Sequence, residues 1–189
     1  GANEEAPTLV EALGRDVWID YVADTGDDVA VSRAVARLLF AEYEVPDPER
    51  PGEHLVAPRG DVLFFGGDTA YPVATAQEIA RRVVHPFSEV LAHAADGKPR
   101  VLLGVPGNHD WYDGLSGFVN TFAQKSRLGL WQTFQRRSYH CVKLPHRHWL
   151  VAVDIQLQCD IDVAQRRWFE SALKDLAPGD HVVLCLAEP

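Results

Sequence analysis

Three apolar runs in this chain each stop at a Gly-flanked polar residue, and that repetition limits the folds open to it. Residues 17–23 run into Asp24-Thr25-Gly26, residues 61–65 into Gly66-Gly67-Asp68, and residues 100–105 into Pro106-Gly107-Asn108-His109-Asp110. Apolar runs this short, bounded by Gly and Pro, read as strands, the third of them buried. A helical pattern follows each of the first two. Strands alternating with helices predict an α/β fold with a parallel sheet. Parallel strands bring their carboxyl ends to one edge, where open α/β sheets place their ligands. Asp24, Asp68, Asn108, His109 and Asp110 would gather there, and such an oxygen-rich set suits metal ions.

The chain has 189 residues, enough for one domain with a real core, and residues 1–189 are read as a single domain. No apolar stretch approaches the length of a transmembrane helix, and no signal-peptide pattern opens the chain. There is no Met, even at position 1. The chain therefore reads as processed or as an excerpt. Cys141, Cys159 and Cys185 lie far apart in apolar surroundings and form no C-x-x-C pair. They read as buried thiols, which favours a reducing compartment, the cytoplasm. A net charge of −9 argues against a broad nucleic-acid footprint. It does not exclude a small phosphoester held at metals, which invert the local field.

Along the chain, Asp27 or Asp28 is expected to cap a helix from about Val29 to Glu44, buried through Val31, Val35, Leu38 and Leu39. The turn-rich stretch 45–54 predicts a surface loop with a solvated His54. Thr75 and Glu78 form a capping box for a second helix, which Pro86 should bend or break. His85 and His93 are expected on that helix, away from any site. Trp111 and Tyr112 would pack the central loop onto the domain, or flank a substrate. Residues 125–135 read as a loop. Residues 136–144 and 149–157 read as a hairpin around Pro145-His146-Arg147-His148. Asp162 and Gln165 form a second capping box, and 181–186 a last strand.

The motifs Asp24-Thr25-Gly26, Gly67-Asp68-Thr69-Ala70-Tyr71 and Gly107-Asn108-His109-Asp110 resemble, in order and spacing, the first three motifs of calcineurin-like metallophosphoesterases. Each is weak alone; the three in order cover nearly the whole chain. Tyr71, three residues after Asp68, is similar to the purple acid phosphatase branch. Asp154, followed by Gln165 and Trp168 on a helix, resembles the family's middle section. The resemblance implies a four-layer α/β/β/α sandwich, with its C-terminal part missing from this chain. It implies phosphoester hydrolysis with two ions (Fe, Mn or Zn) that activate water and neutralise phosphoryl oxygens. Asp68 would bridge the ions, Asp24 and Tyr71 would bind one and Asn108 the other. His109 would contact the phosphate or protonate the leaving oxygen, with Asp110 orienting its imidazole.

The chain departs from the family in three places. Gly26 stands where many relatives carry His. Leu186, Ala187 and Glu188 stand where a metal-binding His is expected; Glu188 could offer an oxygen instead, or the ligand is absent. The final G-H-x-H motif would come further on, and the chain stops first. His146-Arg147-His148 matches its pattern but reads better as a polar turn. The 189-residue chain alone is therefore expected to be a poor enzyme. The expected substrate is a small phosphoester, as phosphatase or phosphodiesterase, and a nuclease is disfavoured by the acidic balance. The rival is a catalytically degenerate phosphate- or metal-binding regulatory module on the same fold.

Overall fold

The computed structural model describes residues 16–94, 100–124, 127–157 and 160–187. It is a mixed α/β protein. Its main sheet contains β1 (Ile19–Val22), β4 (Val62–Phe65), β5 (Arg100–Gly104), β7 (Trp131–Thr133) and β6 (Arg127–Leu128), in the spatial order β1-β4-β5-β7-β6. The first four are parallel and β6 is antiparallel to β7. A second sheet has the order β10-β9-β8, from β8 (His140–Leu144), β9 (His148–Ala152) and β10 (His181–Cys185). The hairpin expected around residues 145–148 is its β8–β9 pair. The turn between them carries His146 and Arg147 at φ 58° and 62°.

Alternation along the strands divides the core. Leu63 and Phe65 of β4 face helices; Val62 and Phe64 face Val142, Leu150 and Ala152 of the second sheet. The other face of that sheet, with Cys141, Trp149 and Val151, packs on Phe169 of a helix, Val163–Ala172. Apolar side chains thus fill three successive interfaces: helix on sheet, sheet on sheet, sheet on helix. Because β4 is buried on both faces, its run is apolar throughout, as a central parallel strand requires.

Helix α1 (Val29–Leu39) starts at Asp28, whose Oδ1 accepts from the N–H groups of Ala30 and Val31. It is shorter than expected. Val31 and Leu38, assigned to its buried stripe, are 52% and 59% exposed. Ser32 and Ala36 are buried in their place, with Val35 and Leu39 partly buried beside them. Ser32 is tolerated because its hydroxyl donates to the Thr25 carbonyl. The loop expected over 45–54 is bracketed by a two-stranded antiparallel ribbon, β2 (Tyr43–Pro46) and β3 (His54–Ala57), in which His54 pairs with Pro46.

Thr75 caps α2 (Ala76–Ile79) by accepting from the Glu78 N–H, as expected. The chain then widens into a π-helical turn over Ala80–Val84 before α3 (His85–Ala94). Pro86 does not break the helix. The extra residue in the wide turn lets the His85 N–H reach Ala80, just ahead of the residue that has no N–H to give. The stretch 125–135 is not simply a loop: β6 and β7 lie within it, and Trp131 is fully buried against Phe40 and the Arg59 guanidinium. Cys141 is buried and Cys185 half-buried, both free; Cys159 lies outside the described residues.

His140, fully buried against Phe64, finds no hydrogen-bond partner for either ring nitrogen among the described residues. Burial holds its pKa down to about 3. The native ring stays neutral while the unfolded one protonates near 6.5. Its contribution is therefore complete above that pH and is lost as pH falls toward 3. Relative to His140→Leu, the wild type should lose about 3 kcal/mol of stability between pH 7 and 4. Urea titrations of both proteins at the two pH values measure this.

Candidate active site

The carboxyl ends of β1, β4 and β5 carry the candidate residues, and backbone hydrogen bonds lace their loops together. The Asp24 N–H donates to the Gly67 carbonyl, that of Tyr71 to Gly26, and that of Ala74 to His109. Asp24 and Asp68 have φ of 59° and 48°. Aspartate is among the few non-glycine residues that enter this left-handed region readily. That conformation turns each chain sharply out of its strand.

Tyr71 joins the two aspartates. Its Oη donates to Asp24 Oδ1 at 2.7 Å and lies 3.0 Å from Asp68 Oδ2. Burial, followed by these two carboxylate contacts, pushes the phenol pKa above its ordinary value. Asp68 Oδ1 accepts from the His109 N–H at 3.0 Å, so one carboxylate holds Tyr71 of its own loop and the β5 loop. Asn108, His109 and Asp110 form the short helix α4 (Asn108–Trp111), in which Asn108 Nδ2 donates to the Tyr112 hydroxyl at 2.9 Å.

Asp110 differs from expectation. It is fully buried and does not orient the His109 ring. Its carboxylate accepts from the Gly107 N–H at 2.9 Å and from the Thr69 N–H at 3.2 and 3.3 Å, stapling the β4 and β5 loops together. Burial raises its pKa to about 6. The His109 ring is held instead by the Pro72 carbonyl, to which Nδ1 donates at 2.6 Å. Nδ1 is then the protonated nitrogen of the neutral ring, and Nε2 is left for a partner. Tyr71 and Tyr112 pack around that ring, with centroids 4.3 and 4.9 Å away.

Gly26 is glycine for a reason of packing. A Cβ there would collide with the Thr69 carbonyl oxygen and the Ala70 backbone, so the His that the resemblance expects here has no room. Gly26→Ala should cost about 1–3 kcal/mol through overpacking of this loop, measurable by chemical denaturation. Gly107 is similar: a Cβ would meet the Asp68 carboxylate.

Of the remaining candidates, Glu188 lies outside the described residues. Ala187 can be placed, and a Cβ added at Gly67 would lie 3.1 Å from its methyl group. The end of β10 therefore runs to the edge of the site. His146 and His148 sit at the opposite ends of their strands. His146 pairs with Asp16 at 2.7 Å and His148 stacks on His181, so neither reaches this edge. Among the described residues no group of three or more His, Cys, Asp or Glu side chains is placed to hold a metal. The oxygen set here is two carboxylates, a phenol and an amide.

Two supports were not foreseen. Gln135, buried at 1% exposure, accepts from the Gly104 N–H and donates to its carbonyl, extending the pairing of β5 where β7 has ended. The Pro72 carbonyl is a backbone group and leaves no side-chain signal in the sequence. No family model matches the chain, and neither a curated protein nor a solved structure matches it.

Proposed function

We propose that this chain is a metal-dependent phosphoester hydrolase of the metallophosphoesterase type, a phosphatase or phosphodiesterase. The observation that carries the reading is that the Tyr71 hydroxyl lies within 3.0 Å of both Asp24 and Asp68 oxygens at the ends of β1 and β4, while the end of β5 joins them through the His109 amide. The three successive apolar interfaces support a four-layer α/β/β/α arrangement of that type. The donors fit a pair of hard or borderline cations such as Fe, Mn or Zn. Asp24, Tyr71 and Asp68 would hold one ion, and Asp68 with Asn108 the other. Bound there, the pair would supply positive charge for the phosphoryl oxygens and a nucleophilic water.

The chain's own groups do the rest. Asp68 stands between the two donor sets and holds the His109 amide. His109, fixed by Pro72, presents Nε2 for a phosphoryl or leaving oxygen. Asp110 keeps the β4 and β5 loops in register. Among the described residues no helix is long and apolar enough to cross a membrane.

The alternative is a catalytically silent module that binds phosphate or metal. Leu186 and Ala187 favour it, because they bring apolar side chains to the rim where the resemblance expects a histidine. Metal analysis of the purified protein, with hydrolysis of p-nitrophenyl phosphate in Fe, Mn or Zn, separates the two. Bound metal with turnover supports the hydrolase and bound metal without turnover the silent module; neither, measured on the intact protein rather than on residues 1–189 alone, sinks both. Tyr71 gives an optical check. Its raised pKa keeps the phenol protonated at neutral pH, so only a strongly Lewis-acidic ion would displace the proton. An iron(III)-loaded protein should be coloured by a phenolate-to-iron transition, and Tyr71→Phe should remove the colour. A colourless, active iron protein would leave Tyr71 as a lid on the turn.

A further inference from the structure

Trp111 ends the short helix that carries Asn108, His109 and Asp110, and its indole reaches across to the second sheet. Nε1 donates to Asp154 Oδ1 at 2.9 Å. Asp154 lies just beyond β9 and is 2% exposed. The same oxygen accepts from the Gln156 N–H at 2.9 Å. The Asp154 backbone is held as a strand neighbour would hold it. Its N–H donates to Gln165 Oε1 at 2.9 Å, and its carbonyl accepts from Gln165 Nε2 at 2.8 Å. Gln165, 1% exposed, is anchored through its own N–H to Asp162, the cap of the helix Val163–Ala172. The expected capping box is thus half used: Asp162 caps, while the glutamine side chain turns to the end of β9.

A line of hydrogen bonds therefore runs from the outer helix through Gln165, Asp154 and Trp111 into the helix whose His109 amide meets Asp68. Buried bonds of this kind are strong, and leaving one member unpaired is costly. The indole N–H adds little as packing, since a phenyl ring would fill much of the same space. Its direction into a buried carboxylate is what ties the loop to the other sheet.

We infer that Asp154 is a positioning residue: through the Trp111 indole it fixes the Asn108–Trp111 turn against Asp68, making the pose of His109 depend on the second sheet. The consequence for turnover rests on the hydrolase reading; the positioning itself does not. The test uses the full chain and measures amide hydrogen exchange at His109 by NMR. Trp111→Phe, which removes only the donor and part of the ring, should speed that exchange about tenfold while the amides of β4 and β8 keep their protection. Asp154→Ala, which leaves the indole in place, should do the same, and it serves as the second variant where Trp111→Phe does not fold. Asp154→Asn keeps an acceptor oxygen and should restore near-native exchange. If p-nitrophenyl phosphate is hydrolysed, kcat should fall about tenfold in Trp111→Phe with KM little changed. Unchanged exchange at His109 in both Trp111→Phe and Asp154→Ala overturns the inference, as does an equal rise across all amides, which would make the contact merely structural. Selective loosening at His109 in these variants, of a protein whose wild type never hydrolyses a phosphoester, upholds the positioning and removes the hydrolase reading instead.

Discussion

Asp68→Asn should remove nearly all phosphoester hydrolysis, a loss of at least about 10³-fold, while the protein stays folded. The carboxylate is half-buried, and both of its oxygens face neighbours: Oδ1 takes the His109 N–H and Oδ2 lies against the Tyr71 hydroxyl. Asparagine keeps the shape and one acceptor. It gives up the negative charge and turns the second oxygen into a donor. A carboxylate shared between two cations contributes charge to both, so metal content should fall along with activity. The fold should persist because Asp68 itself is half-exposed and makes no part of the apolar core, and Phe64 and Phe65 beneath it are untouched. Metal stoichiometry, hydrolysis of p-nitrophenyl phosphate and circular dichroism on one preparation measure all three. Full metal content in a folded Asp68→Asn protein would remove Asp68 from the bridging role.

His109→Ala should act differently. Its ring is hydrogen-bonded to a backbone carbonyl and packed between two tyrosine rings, whereas the hydrogen bond to Asp68 comes from its amide, which alanine retains. Metal content should therefore stay close to wild type. Turnover should drop about 10²–10⁴-fold, the range for losing a positioned acid or base. The loss should appear in kcat more than in KM if the imidazole acts in the transition state. Rescue of part of the rate by added imidazole would mark the missing proton carrier. A His109→Ala protein that loses metal would show that the imidazole belongs among the ligands.

Much of the architecture could be read from the sequence because it depends on neighbours in the chain. β1, β4 and β5 declare themselves as apolar runs, and Asp24 and Asp68 end them because short polar side chains tolerate the left-handed turn that follows. Thr75 and Asp162 announce their helices for the same local reason, since the groups they cap lie only a few residues away. Burial on α1 departs from its sequence pattern. Its pattern names apolar positions, but which side meets the sheet is settled by α3 and β4, and those put Ser32 inward and Leu38 outward.

Other features were decided only in three dimensions. β7 is three residues long, too short for any periodicity, and exists because β5 offers it an edge. Asp110 next to His109 suggested a carboxylate steering an imidazole. Folding instead turns Asp110 inward to the Gly107 and Thr69 amides and leaves the ring to the Pro72 carbonyl. Gln135 carries no signal in the sequence and Gln165 reads as half of a capping box, yet each replaces a missing strand partner at the end of a strand. The sequence by itself determined that β1, β4 and β5 form and which oxygen-bearing residues follow them, because local sterics and apolar runs act over a few residues. Only the tertiary structure decided which of those groups face one another, because a buried donor or acceptor must be matched by whatever packing brings beside it, however distant in the chain.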